Sequence, residues 1–181
     1  MRKLALATIS ALCLVVAGGC DSSGASSTTP TDASVYAELG VVLPDLDDED
    51  YAIVSRSASD VHVLVFWATY CAPVIGELAE MEAMVERLDG VGLYAISIDG
   101  PDTIAQVPGI VAREGWSFPV LFDADTSVLT RWNPKGDCPF YVVLDAEGNV
   151  LTSHQGYVKG DVVGLEQFLV ERREASPSEP G

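Results

Sequence analysis

The chain has 181 residues, with 27 acidic against 10 basic side chains and a formal net charge of −17. Its length suits one domain of about 150 residues plus some extra sequence, and an apolar fraction of 48% excludes wholesale disorder. Ten scattered Lys and Arg cannot form the basic face that phosphate binding needs, which excludes nucleic acid as a partner.

The chain opens on an address. Arg2 and Lys3 precede an apolar stretch, residues 4–17, interrupted only by Thr8 and Ser10. It falls short of the ~20 residues that span a bilayer as a helix. The stretch ends in Ala17-Gly18-Gly19-Cys20, which resembles a bacterial lipoprotein signal, cut before a cysteine that is then acylated. Residues 1–19 are expected to be that signal and Cys20 the lipidated residue; the alternative is an ordinary secretory signal cut near Gly19, with Cys20 incidental. Residues 20–34 are polar, without periodicity, and read as a flexible tether. The protein would then sit in the bacterial cell envelope, lipid-anchored outside the cytoplasm. Residues 35–174 are the expected folded domain and residues 175–181 a frayed tail. Asp45, Asp47, Asp48, Glu49 and Asp50 lack the interior glycine and terminal glutamate of an EF-hand loop, and read as a solvated loop.

Val61–Trp67 is a nearly continuous β-branched and aromatic run, as in a strand buried on both faces. Val74, Leu78, Met81, Val85 and Leu88 then recur at steps of four and three between glutamates, predicting an amphipathic helix that ends near Asp89-Gly90. Residues 91–98 predict a second buried strand. Residues 102–114 allow a helix broken at Pro108-Gly109. Residues 119–122 predict a short strand and residues 127–132 a brief helix. Two further strands, residues 141–144 and 150–153, flank a hairpin signal at residues 145–149. Val162, Leu165, Phe168 and Leu169 predict a closing helix capped by Asp161. This alternation argues for a single α/β domain, a mixed central sheet with helices on both faces.

Cys71 stands where the first strong strand gives way to the first strong helix. A thiol there meets the unpaired amides and partial positive charge of a helix N-terminus, which favour thiolate. Pro73 fits the first turn, where no amide donor is required. The stretch Phe66-Trp67-Ala68-Thr69-Tyr70-Cys71-Ala72-Pro73 resembles the Phe-Trp-Ala-x-Trp-Cys-x-Pro-Cys of the TlpA/ResA-type thioredoxins, membrane-anchored bacterial thiol–disulfide oxidoreductases. Ser97-Ile98-Asp99, residues 118–123, residues 139–149 and Gly156-Tyr157-Val158 follow in that family's order, over roughly residues 40 to 172.

The resemblance implies a thioredoxin-like fold with a C-terminal β-hairpin plus helix. It also marks two departures. The family's second cysteine falls on Val74, and its Trp before the first cysteine is Tyr70, which retains an aromatic wall. A mixed disulfide at Cys71 therefore cannot be resolved from within the motif. Cys138 directly precedes Pro139, which matches the family's cis proline facing the active cysteine, so the resemblance brings Cys71 and Cys138 to one site. Glu77 matches an acidic position near that site; by spacing alone it is another exposed helix carboxylate. The expected catalytic residues are thus Cys71 as nucleophile, Cys138 as resolving partner and Glu77, with Trp67, Tyr70, Pro73 and Pro139 receiving substrate. Neither a cofactor nor a metal is expected. The expected partners are envelope protein thiols or disulfides, met by a monomer.

Three other functions stay open. One is a redox-inactive thioredoxin-like binding module. Another is a peroxiredoxin-like thiol peroxidase, although that family's Thr three residues before its cysteine is Ala68 here and Thr69 is one place off. A third is copper delivery with His154 beside Cys71, although Sco-type chaperones use two cysteines separated by three residues and no such pair occurs. His62 reads as a structural histidine, His154 as a surface one, and Trp116 and Trp132 as packing. No Gly-x-Ser-x-Gly elbow supports a hydrolase.

Overall fold

The pairing of apolar runs places every long element predicted from the sequence. A computed structural model describes residues 41–53 and 59–175; the signal, Cys20, the tether and most of the tail lie outside the described residues. A short antiparallel pair, β1 (Val42–Pro44) and β2 (Asp50–Ala52), comes first. Then follow β3 (Val61–Trp67), α1 (Ala72–Val85), β4 (Val91–Ser97), α2 (Val107–Glu114), β5 (Val120–Phe122) and α3 (Leu129–Trp132). The chain closes with β6 (Phe140–Asp145), β7 (Val150–Gln155) and α4 (Asp161–Ala175).

Five strands make one mixed sheet in the order β5-β4-β3-β6-β7. β3, β4 and β5 run parallel, while β6 is antiparallel to both β3 and β7. The two-residue period of β3 splits the core in two. Val63, Val65 and Trp67 face α1, α2 and α4, meeting Val74, Leu78, Met81, Ile110 and Leu165. Leu64 and Phe66 face the other way, onto Leu43, Ile53, Val128 and Leu129 of the β1–β2 pair and α3. The four-and-three spacing of α1 is thus its buried stripe, each filled aliphatic position contributing about 1.5–3 kcal/mol relative to exposure. The thioredoxin-like α/β fold with a closing hairpin and helix is the observed architecture.

Two local expectations are corrected. Pro108 does not break a helix; α2 begins at Val107 with Pro108 in its first turn, after a 3-10 turn at Ile104–Gln106. The first turn needs no donor from a ring nitrogen, so proline starts what it was expected to interrupt. Asp161 opens α4, but its carboxylate reaches back to the preceding loop, accepting from the Val158 amide at 2.6 Å and pairing with His154 at 3.1 Å. The β6–β7 turn forms as expected: Asp145 Oδ1 accepts from the Glu147 and Asn149 amides, and Gly148 takes the left-handed φ of +84° that the turn requires.

Candidate active site

The strand registers gather the site. Trp67 pairs with Ser97, Phe66 with Phe140, and Phe140 in turn with Gln155. The C-terminal ends of β3, β4 and β7 and the start of β6 therefore share one edge of the sheet. Cys71 follows β3, Asp99 follows β4, and Cys138-Pro139 leads into β6.

The loop after β3 is fixed by a buried carboxylate. Asp99 has no exposed surface and accepts from the Thr69 amide at 2.9 Å, the Thr69 hydroxyl at 2.6 Å and the Ser97 hydroxyl at 2.9 Å. The Cys71 amide donates to the Ala68 carbonyl at 2.9 Å, and Cys71 occupies the N-cap of α1 with Pro73 in the first turn. The thiol makes no capping bond to the helix amides and packs at the junction of the two cores.

Facing it, Cys138 precedes Pro139 across a cis peptide bond, as expected. This second loop is tied to β7. The Pro139 carbonyl accepts from the Gly156 amide at 2.8 Å and from Gln155 Nε2 at 2.9 Å. Gln155 Oε1 accepts in turn from Asn133 Nδ2 at 2.5 Å.

Both thiols are free and partly buried, and both pack against the core cluster of Phe66 and Phe140. Burial pushes the Cys138 thiol up to about 12, with further upward pressure from the neighbouring Cys71 and Asp99. Tyr70, two-thirds exposed, works against that rise. The Tyr70 phenol is itself held above its ordinary value by burial and by the charges of Cys138 and Asp99.

Glu77 is not an exposed helix carboxylate. It is 1% exposed, and neither of its oxygens finds a partner among the described residues. Burial pushes its carboxyl up to about 7, aided by the negative charges of Asp161 and Glu80. Six residues beyond Cys71 on the same helix, it stands about 9 Å further along the axis.

The remaining expected positions divide. Tyr70 and Pro73 are exposed and Pro139 is half-buried, all three on the rim around the thiols. Trp67 is a correction: it has no exposed surface and packs edge-on against Trp116 with ring centroids 5.2 Å apart, so it cannot touch a substrate. The last residue of a strand buried on both faces is core, whatever its motif. His62 is buried, with Nδ1 3.4 Å from the Tyr94 hydroxyl. His154 is half-buried, stacked on Tyr141 and paired with Asp161. Trp132 packs on Phe66. Among the described residues no three His, Cys, Asp or Glu side chains converge as a metal site. Asp99 is the site residue that sequence reasoning passed over. Its signal was a carboxylate immediately after a buried strand, with hydroxyl residues two positions before it and in the facing loop.

The sequence model of the AhpC/TSA family matches residues 40–153, from the first strand to the closing hairpin. The chain belongs to the AhpC/TSA family. Within that family its curated relatives are ResA-type. A thiol-disulfide oxidoreductase ResA from Halalkalibacterium halodurans is 27% identical over 131 residues, covering 72% of each chain. Among solved structures, a putative thiol:disulfide interchange protein DsbE from Chlorobium tepidum superposes with a TM-score of 0.63 at 24% identity, covering 72% of this chain and 91% of that one. An uncharacterized thioredoxin-like protein from Porphyromonas gingivalis gives the same TM-score and identity over 80% of this chain and 97% of its own. Both structures share the fold.

Proposed function

We propose that this chain is a thiol–disulfide oxidoreductase of the bacterial cell envelope in which Cys71 is the nucleophile and Cys138 the resolving thiol. The observation that carries this reading is the placement of two free thiols against one core cluster, one at a helix N-cap and one before the cis proline. Its ResA-named relatives support the reaction class. The position where the resemblance expects a second cysteine is Val74, whose side chain is buried, so resolution falls to a sulfur outside the motif.

The step balances with the two thiols alone. Cys71 thiolate attacks one sulfur of a substrate disulfide, forming a Cys71–substrate bond and releasing the other substrate sulfur as thiolate. Cys138, deprotonated, attacks Cys71 Sγ; the Cys71–Cys138 bond forms, and the second substrate sulfur leaves and takes up a proton. The substrate gains two electrons and the cysteine pair loses two. The reverse sequence oxidises a substrate dithiol. Glu77 acts as a titratable charge beneath Cys71, neutral or negative near neutral pH, and Tyr70, Pro73 and Pro139 form the rim that meets the substrate. Cleavage before Cys20 and acylation there would hold this domain at a membrane surface; among the described residues no helix is long and apolar enough to cross one.

Two readings compete. The burial that raises the Cys138 thiol favours a redox-inactive binding module, because a protonated thiol does not attack. The peroxidase reading has less support: the Thr69 hydroxyl is committed to Asp99 rather than to the thiol. Cys138→Ser should trap Cys71–substrate adducts, and Cys71→Ser should abolish them. If Cys138→Ser traps nothing and the oxidised wild type still alkylates at two thiols, the binding module replaces this proposal. Intact-mass analysis from membranes tests the anchor: loss of nineteen residues with added lipid is expected, and a soluble unlipidated protein would reject it.

A further inference from the structure

We infer that Asp99 is a positioning residue for Cys71, holding the thiol through Thr69 against the core that it shares with Cys138. The inference rests on the reading of the two thiols as a redox pair and says what keeps one of them in place for the other.

The backbone ladder between β3 and β4 ends short of the site. Its last rung runs from the Ile98 amide to the Trp67 carbonyl at 2.8 Å. Beyond that rung the Asp99 side chain takes over the pairing. One carboxylate oxygen accepts from the Thr69 hydroxyl at 2.6 Å, and the other from the Thr69 amide and the Ser97 hydroxyl, both at 2.9 Å. The Ser97 hydroxyl accepts in turn from the Asp99 amide at 3.1 Å, which fixes the carboxylate on its own strand. Thr69 is therefore held by main chain and side chain together, and both its position and its orientation are set.

Two residues carry that constraint to the sulfur. The Cys71 amide closes a turn on the Ala68 carbonyl at 2.9 Å, and the Cys71 carbonyl accepts from the Val74 amide at 3.1 Å as α1 begins. The thiol makes no capping bond of its own, so its loop is held from the strand side by Asp99. A carboxylate with no exposed surface has been stripped of water, a cost that stability alone does not favour. Its charge does not serve the thiols either, since Asp99 opposes a thiolate at Cys138. What it supplies is a two-oxygen acceptor of fixed shape, which an amide with one acceptor oxygen cannot match.

The test uses the full chain as wild type, Thr69→Val, Thr69→Ser, Asp99→Asn and Ser97→Ala. Each is equilibrated with oxidised and reduced glutathione, and the fraction carrying a Cys71–Cys138 bond is read by alkylation and mass. In that exchange the two thiols give up two electrons and two protons, and one oxidised glutathione leaves as two reduced ones. Thr69→Val removes one hold and keeps the shape, and should disfavour the protein disulfide about tenfold. Thr69→Ser keeps the hydroxyl and should restore the wild-type equilibrium. Asp99→Asn should act like Thr69→Val, and combining the two should add little, because both break the same link. Ser97→Ala takes a bond from the same carboxylate but none from the loop. It should lower the urea midpoint and leave the glutathione equilibrium near wild type. An equilibrium unmoved in Thr69→Val, or moved equally in Ser97→Ala, overturns the inference. If the wild type forms no Cys71–Cys138 bond, the redox-pair reading fails, and hydrogen exchange at the Cys71 amide decides the inference by itself. Exchange there should quicken about tenfold in Thr69→Val relative to the amides of β3; an unchanged rate overturns it.

Discussion

Replacing Glu77 by Gln should change how stability depends on pH, by an amount fixed by the burial of the carboxyl. Unfolded, the carboxyl titrates near 4.5; folded, burial and the charges of Asp161 and Glu80 raise it to about 7. Between those values the native state holds a proton that the unfolded state has lost. Stability therefore falls as pH rises, by 1.36 kcal/mol per unit at most, and levels off above the folded value. The interval amounts to about 3 kcal/mol, a sizeable share of the ~5–15 kcal/mol that holds a domain together. Glutamine has the same shape and no titration. The stability difference between Glu77→Gln and wild type should be flat below pH ~4.5, climb in the variant's favour through neutrality by about 3 kcal/mol, and then flatten again.

Urea unfolding followed by tryptophan fluorescence reads this directly, since Trp67 and Trp116 are buried. The shape of the difference is the test, because a constant offset from the amide's own unpaired donors cancels out of it. Titrating groups that do not act on Glu77 cancel too, while its coupling to Asp161 and Glu80 is part of the difference read. Parallel stability curves from pH 4 to 8.5 would refute the reasoning, since they would mean that the carboxyl ionises in the fold as it does in water. If the climb is seen, the chain carries at neutral pH a charge that its fold disfavours, in a helix position where an aliphatic side chain would pack. A functional role for Glu77 beneath Cys71 gives that cost a reason.

Oxidising the Cys71–Cys138 pair closes a loop of 68 residues, and should raise the urea midpoint by the equivalent of roughly 4 kcal/mol, less any strain; an oxidised chain no more stable than the reduced one would contradict it. Asp99→Ala orphans the Thr69 amide, the Thr69 hydroxyl and the Ser97 hydroxyl and should cost about 3 kcal/mol, with Asp99→Asn costing less, both read by denaturant unfolding. Burial holds the His62 imidazole below its ordinary 6.5 against the pull of Asp145 and Asp60. Its folded value is therefore depressed, and stability should be lost as pH falls from 6.5 toward that value; His62→Gln should flatten this limb in the same titration. Trp67→Ala should cost about 3–5 kcal/mol as a cavity between β3 and Trp116, and a variant that unfolds at the wild-type midpoint would show that Trp67 is not core.

The fold was legible because its central elements carry patterns that no neighbour has to supply. β3 declares itself by a nearly continuous apolar run, interrupted only by His62, and α1 by a four-and-three stripe between glutamates. Where one residue type serves two ends, local reading went wrong. Proline terminates a helix from inside and tolerates its first turn, and which one Pro108 does depends on where the 3-10 turn before it stops. Asp161 reads as a cap, but its carboxylate is claimed by Val158 and His154 from the loop and strand before it.

The site was legible to the extent that sequence names atoms and topology gathers them. Cys71 and Cys138 are distant in sequence, and what joins them is a register: β6 antiparallel to β3 with Phe140 opposite Phe66, so that the residues before one strand meet those after the other. The motif pointed to Cys71 and the match at Pro139 to Cys138 beside it, and the order of strands is the physical means that joins them. Glu77 shows the limit most clearly. Its spacing between Val74 and Leu78 is compatible with the flank of an amphipathic helix or with its buried stripe, and periodicity cannot say which. What decides is that α4 packs across α1 and presents Asp161 to the same region, so that the side chain lies beneath a second helix instead of in water. The Asn133–Gln155–Pro139 tie left no trace in the sequence at all, because an amide pair that braces a loop has the same composition as one that faces solvent. Such braces set where Cys138 stands relative to Cys71, and the reactivity of the pair depends on them as much as on the sulfurs themselves.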